Sequence, residues 1–127
     1  MPRRPKPTAA ELEILRVLWR RGPSTVNQVH PDLERGDRVG YTTVLKLLQI
    51  MFEKGLVRRD ESTRPHVFRA AVAEAEVKRR FVTDLLEQVF DGSATSLAMQ
   101  ALSARRATPE ELRKLRKLLD DIEGAGS

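Results

Sequence analysis

Cysteine is absent from this 127-residue chain. That removes disulfides, thiolate zinc sites and thiol catalysis together. Long apolar runs are absent as well, and none approaches the ~18 residues that a membrane-spanning helix needs. The opening segment, MPRRPKP, is basic but has no apolar stretch behind it, so it does not read as a secretory signal. A soluble, cytoplasmic protein is the expected class. There is no glycine-rich phosphate loop, no zinc-ligand spacing and no Ser/His/Asp arrangement in a suitable context. The paired carboxylates Glu110-Glu111 and Asp120-Asp121 are accounted for as helix N-terminal charge and a solvated helix face. With two histidines and no cysteine, the chain is expected to be neither an enzyme nor a holder of a metal or cofactor.

What is present is a chain with 40% hydrophobic and 32% charged residues. That balance excludes disorder throughout and suits one domain or two small ones. The net charge of +5 is unevenly placed: residues 1–71 carry +6 and residues 72–127 carry −1. The whole basic excess therefore lies in the first half, which points to a polyanionic partner there.

Residues 1–7, with three prolines and three basic residues, read as a disordered arm. Thr8-Ala9-Ala10-Glu11 is a capping box, and a helix to about Arg21 should follow, with Leu12, Leu15, Leu18 and Trp19 on one face. Gly22-Pro23 stops it. Ser24 to Leu33 reads as a short second helix with Val26, Val29 and Leu33 inward, kinked or ended early by Pro31. Arg35 to Gly40 is a polar loop. A third helix, about residues 42–54, should bury Val44, Leu47, Leu48, Met51 and Phe52. Gly55 sits at its left-handed C-terminal position. The period then changes to two over Leu56 to Arg59 and again over His66 to Arg69, around the turn-like ESTRP, which marks a β-hairpin at about 56–70. Helix, helix, helix, hairpin is the order of a winged helix-turn-helix, expected over residues 8–71.

Beyond it the chain reads as helical: one helix from Ala73 to Phe90, a short one around Leu97 to Leu102, and a last one from about Pro109 to Glu123. The last is announced by an N-cap threonine, a proline at the first position and a glutamate completing a capping box at Thr108 to Glu111. Each carries an apolar stripe, but about 50 residues are too few to close a separate core. Their stripes can be buried either by packing back on the first half or by residues 72–127 pairing with a second copy. Pairing is the favoured expectation, through Phe81, Leu85, Leu112, Leu115, Leu118 and Leu119. The expected class is mainly α with a small β-hairpin: a DNA-binding domain followed by a helical dimerisation region.

A helix-turn-helix contacts bases mainly from the first residues of its second helix. Here these are Tyr41, Thr42 and Thr43, with Lys46 one turn on and Leu45 and Gln49 on the same outer face. Their hydroxyls suit base edges and phosphate oxygens. One threonine can cap the helix and leave the other free. Thr43 is expected to be structural or phosphate-facing and Thr42 to be the base contact. On the hairpin, Arg64 at the loop tip is the best candidate for the backbone or minor groove. Arg58 and Arg59 point to opposite faces of a strand, so only one of them can face DNA. A metal role for His66 is disfavoured, because His30 is distant in sequence.

The segments AELEILRVLW, TVNQVH, YTTVLKLLQIMFEKGLVRRD and HVFRA resemble the BlaI/MecI/CopY family of penicillinase-type repressors. The likeness extends through FDGS at 90–93 to the capped final helix. It implies a homodimer that represses transcription from palindromic double-stranded DNA operators, with Tyr41, Thr42, Thr43, Lys46 and Arg64 as operator contacts. In the β-lactam branch it also implies a membrane sensor protease as inducer and cleavage at an Asn–Phe bond; Gln100-Ala101 stands at that position here. The paired cysteines of the copper-responsive branch are missing. Two other functions compete with a specific repressor. A nonspecific architectural DNA binder would use the same basic half without an operator. A winged helix serving only protein contacts would not need Lys46 and Arg64.

Overall fold

The computed structural model describes residues 5–33 and 39–126. It forms two compact units, residues 1–82 and 83–127. In the first, α1 (Ala9–Arg21) starts as its capping box dictates. The Glu11 amide donates to the Thr8 hydroxyl at 3.2 Å, and the Thr8 amide donates to the Glu11 carboxylate at 2.9 Å. Its fully buried face is Glu11, Ile14, Leu15, Val17 and Leu18, while Leu12 and Trp19 lie half-buried at the edge of the core. Residues 1–4 of the expected arm lie outside the described residues. Pro7 is buried, and the Lys6 ammonium lies over the Phe81 ring, 4.9 Å from its centre.

The second helix is shorter than its apolar pattern predicts. Thr25 caps it in a reciprocal arrangement with Gln28, and α2 spans only Val26–Val29. A single 3-10 turn, His30–Asp32, follows and accommodates Pro31 near its start. Proline lacks the amide and restricts its predecessor, so the α-helical path ends ahead of it. Ser24, expected to open the helix, instead joins the hairpin's edge. Its amide donates to the Phe68 carbonyl at 2.9 Å and its carbonyl accepts from the Phe68 amide at 2.8 Å. The loop expected over Arg35 to Gly40 lies largely outside the described residues.

The third helix, α3 (Tyr41–Glu53), buries Val44, Leu48 and Met51. Phe52 was expected inside and is 38% exposed. At 3.6 residues per turn it sits about 80° round from Val44, past the edge of the buried stripe. Leu47, about 60° the other way, is half-buried against the core. The helix closes with a Schellman motif: the Gly55 amide donates to the Phe52 carbonyl at 3.1 Å, and the Leu56 amide to that of Met51 at 2.9 Å. Gly55 takes φ +80° there, a conformation that side chains with a Cβ resist. The hairpin is β1 (Val57–Asp60) and β2 (Val67–Ala70), antiparallel, with Val57 opposite Ala70 and Arg59 opposite Phe68. Phe68 is 1% exposed and belongs to the same core as Ile14, Leu48 and Leu56.

An ion pair between a buried carboxylate and a half-buried ammonium joins the first helix to the end of the third. The Lys54 ammonium donates to both Glu11 carboxylate oxygens, at 2.9 and 3.0 Å. Burial pushes the Glu11 carboxyl up, but the bond from the Thr8 amide, the bond from Lys54 and the Lys54 charge together outweigh it. The group therefore titrates below its ordinary range.

The fourth helix, α4 (Glu74–Gln88), begins in the first unit, where Val72 and Val77 are buried and Phe81 is half-buried against the core. Asp91 and Gly92, both at positive φ, follow its end. The second unit holds α5 (Ala94–Ala104), longer than expected, and α6 (Pro109–Gly126). Thr108 and Glu111 cap α6 reciprocally, at 2.9 and 3.1 Å. No helix among the described residues is long and apolar enough to cross a membrane.

Because the folded Glu11 pKa is depressed, its contribution to stability is complete above the unfolded value of about 4.3 and fades as pH falls through the folded value. Glu11→Gln should therefore flatten the acid limb of stability below about pH 5, measured by urea unfolding at a series of falling pH values. Lys54→Met leaves the carboxylate buried without its partner and should cost about 2 kcal/mol at pH 7, less than a fully buried pair because Lys54 is partly exposed.

Candidate nucleic-acid interface

The first turn of α3 carries Tyr41, Thr42 and Thr43, all exposed, and Lys46 and Gln49 continue the exposed face. Neither threonine caps the helix. Gly40 is the N-cap residue and makes no side-chain capping bond, so the expected division into one capping and one free hydroxyl does not occur. The physical reason is register. Capping requires the residue just outside the helix, and helical geometry already begins at Tyr41, which makes Thr42 and Thr43 the second and third helical residues. Both hydroxyls therefore stand on the solvent side of the end where amides lack helical partners.

The hairpin lies beside this face. Tyr41, Leu45 and Gln49 of α3 share a groove of about 270 Å³ with Arg59, Arg64 and His66 of the hairpin. Val26, Pro65 and Phe68 complete its lining, and no carboxylate contributes to it. Leu45, expected on the outer face, also packs against the core from a half-buried position. Strand alternation settles which of the two neighbouring arginines shares the groove. Arg59 pairs with inward Phe68, whereas Arg58 pairs with Arg69, and both of these are exposed.

Arg59 is also the residue that positions the hairpin. Its guanidinium lies 4.3 Å from the centre of the Phe52 ring, and its Nε donates to Glu61 at 2.9 Å. The exposed ring of α3 is thereby joined to the wing by a cation–π contact. Sequence reasoning missed this link, although Phe52 at the margin of the apolar stripe was the available signal. At the loop, Asp60 accepts from the Ser62 hydroxyl at 2.6 Å and from its amide at 2.9 Å. Those bonds, with smaller help from Arg69 and His66, hold the Asp60 carboxyl below its ordinary range. Arg64 is exposed at the tip. His66 is half-buried in the groove, and the described residues contain no cluster of potential metal ligands. His30 is turned to the Val39 carbonyl.

The residues expected to mediate pairing are placed differently from one another. Phe81 packs on the core of the first unit. Leu85, Leu115, Leu118 and Leu119 are exposed by 41%, 37%, 53% and 58%, and Leu112 is half-buried.

Three helices, a bridge residue and a two-stranded wing around one core define a winged helix-turn-helix, with the outer face of α3 left open. More particularly, the chain belongs to the penicillinase repressor family, whose model matches residues 7–121. The penicillinase repressor of Staphylococcus aureus is 20% identical over 113 residues, covering 89% of this chain and 90% of that protein. The transcriptional regulator BlaI of Mycobacterium tuberculosis is 30% identical over 114 residues, covering 89% and 82%. Among solved structures, a MarR family protein from Bacillus stearothermophilus has a TM-score of 0.47 at 20% identity, covering 92% of this chain and 76% of that one. The family is one of transcriptional repressors rather than enzymes.

Arg59→Ala removes the link between α3 and the wing. It should lower global stability by no more than about 1 kcal/mol, yet speed amide hydrogen exchange across β1 and β2 while leaving α1 unchanged.

Proposed function

We propose that this chain is a sequence-specific DNA-binding repressor that acts as a homodimer on a palindromic operator. One observation carries the proposal. The end of α3 presents two threonine hydroxyls that do not cap the helix, a tyrosine and a lysine, beside a groove containing two arginines and no carboxylate. Among the described residues the side chains of Tyr41, Thr42, Thr43 and Lys46 have no internal hydrogen-bond or ion-pair partner, and a polyanion with hydrogen-bonding edges supplies what they need.

In this proposal residues 42–54 enter the major groove. Thr42 and Tyr41 meet base edges, Thr43 and the first-turn amides meet phosphate, and Lys46 adds a phosphate or guanine contact. The wing, residues 56–70, follows the backbone or minor groove through Arg64, with Arg59 holding it in place. Two-fold pairing through the exposed leucines of residues 83–127 would present two such helices to two half-sites, and a palindrome follows from that symmetry. Phe81, engaged with the core of its own chain, contributes less to the pairing than Leu85 and the leucines of α6. Gln100 and Ala101 are exposed within helical α5. A protease would have to unwind the helix to reach their peptide bond, and cleavage there forms no part of the proposal.

A nonspecific architectural protein would use the same charges but show no preference among duplexes. A specific dimer should prefer its operator over scrambled DNA by tens to thousands of times at the same salt concentration. Thr42→Ala combined with Lys46→Ala should abolish that preference on the promoter of its own operon, with melting temperature unchanged. Equal binding by wild type and variant would remove α3 as the reading helix. For assembly, Leu115→Glu with Leu118→Glu should convert dimer to monomer in sedimentation and weaken operator binding. A persistent dimer would rule out the α6 interface.

A further inference from the structure

A second cavity lies away from the α3–wing groove and shares no residue with it. It is a cleft of about 530 Å³ lined by Arg16, Trp19 and Arg20 of α1 and by Glu74 and Lys78 of α4. All five belong to the first compact unit. The volume is in the range of small-molecule sites.

Its composition is unusual for a solvated helix face. Arg16 and Arg20 stand four residues apart on one side of α1, where like charges repel. Among the described residues neither has a carboxylate partner, whereas Arg21 next to them pairs with Asp32 at 3.0 Å. Lys78 is paired to Glu74 at 3.4 Å, but Lys78 is largely and Glu74 nearly half exposed, so the pair is weakly held. The cleft therefore has three cations against one carboxylate. Between the arginines in sequence is Trp19, half-buried, with its indole N–H donating to the Val72 carbonyl at 3.0 Å. That bond fixes the indole and uses its one donor, so what Trp19 offers a ligand is ring surface.

We propose that this cleft binds a small aromatic carboxylate. A guanidinium fork matches a carboxylate in a planar, two-bond arrangement. The indole offers stacking or edge contact for an attached ring. A DNA phosphate is the rival anion for Arg16 and Arg20. It leaves the fixed indole unused, and a concave site walled by two helices suits a compact ligand better than a rod. The site is independent of the DNA-binding reading, because its occupancy can be measured with no DNA present.

Trp19 is the sole tryptophan of the chain, so intrinsic fluorescence of the intact protein reports on the cleft directly. The probes are benzoate, its neutral isostere benzamide, and inorganic phosphate, titrated at constant ionic strength. Benzoate should produce a saturable change in Trp19 emission, with benzamide and phosphate weaker by at least about tenfold. Arg16→Ala with Arg20→Ala should lose the benzoate response by a similar factor, with far-ultraviolet circular dichroism and melting temperature unchanged. The exposed Arg58→Ala should respond as wild type. A linear, unsaturable response, an equal response to benzamide, or an unaffected double variant would overturn the site. Equal binding of phosphate would reduce it to a plain anion patch and overturn the aromatic class. Weakened duplex binding by the double variant with benzoate binding intact would assign the arginines to DNA, which also overturns it.

Discussion

The fold of the first unit turns on one buried carboxylate. Glu11 closes the capping box at the start of α1 and accepts both bonds from Lys54, the residue at which α3 ends. A lone charge at 1% exposure would be costly. Here the bonds from the Thr8 amide and the ammonium satisfy it and favour the charged form, which holds its pKa below the ordinary range. The geometric consequence outweighs the energetic one. The pair fixes the C-terminal end of α3 against the N-terminal end of α1, while Val44, Leu48 and Met51 hold its middle on Ile14 and Leu15 in the shared core. With the inner face and the far end both held, the first turn of α3 projects with Tyr41, Thr42, Thr43 and Lys46 exposed.

The wing is placed by two further contacts, one on each side. Ser24 pairs with Phe68 through two backbone bonds, tying the hairpin to the segment between α1 and α2. Arg59 lies on Phe52 and ties the same hairpin to the outside of α3. A two-stranded hairpin is marginal by itself. Held by a third backbone segment within and a cation–π contact without, it becomes a fixed wall of the groove. The second unit follows the opposite logic. Its helices are well capped, yet Leu118, Leu119 and Ile122 remain more than half exposed. Local hydrogen bonding makes those helices, and nothing within the described chain covers that stripe.

Much of this was legible because it is local. Capping boxes at Thr8 and Thr108, the glycine after α3, the proline that shortens α2 and the change of period at Leu56 all act within a few residues, so composition and spacing reveal them. The open face of α3 was legible for the same reason, as the polar side of an amphipathic helix. Three features were not. Ser24 looked like a helix start, but its backbone answers to Phe68, 44 positions later in the chain. Phe52 counted as core because it is apolar, though its angle places it at the rim beside Arg59. Thr42 or Thr43 looked like a cap, and only the observed start of the helix shows that neither is one.

The sequence by itself determined the element order, the helix boundaries to within a few residues, the basic first half and the residues that line the outer face of α3. These follow from periodicity and from backbone donors that must be satisfied nearby. Tertiary structure alone decided which arginine of the Arg58-Arg59 pair enters the groove, why Glu11 and Lys54 are where they are, and how Arg16, Trp19 and Lys78 come to share a cleft. Those outcomes depend on strand register and on pairs more than forty residues apart, as with Glu11 and Lys54, and no local propensity encodes such pairs.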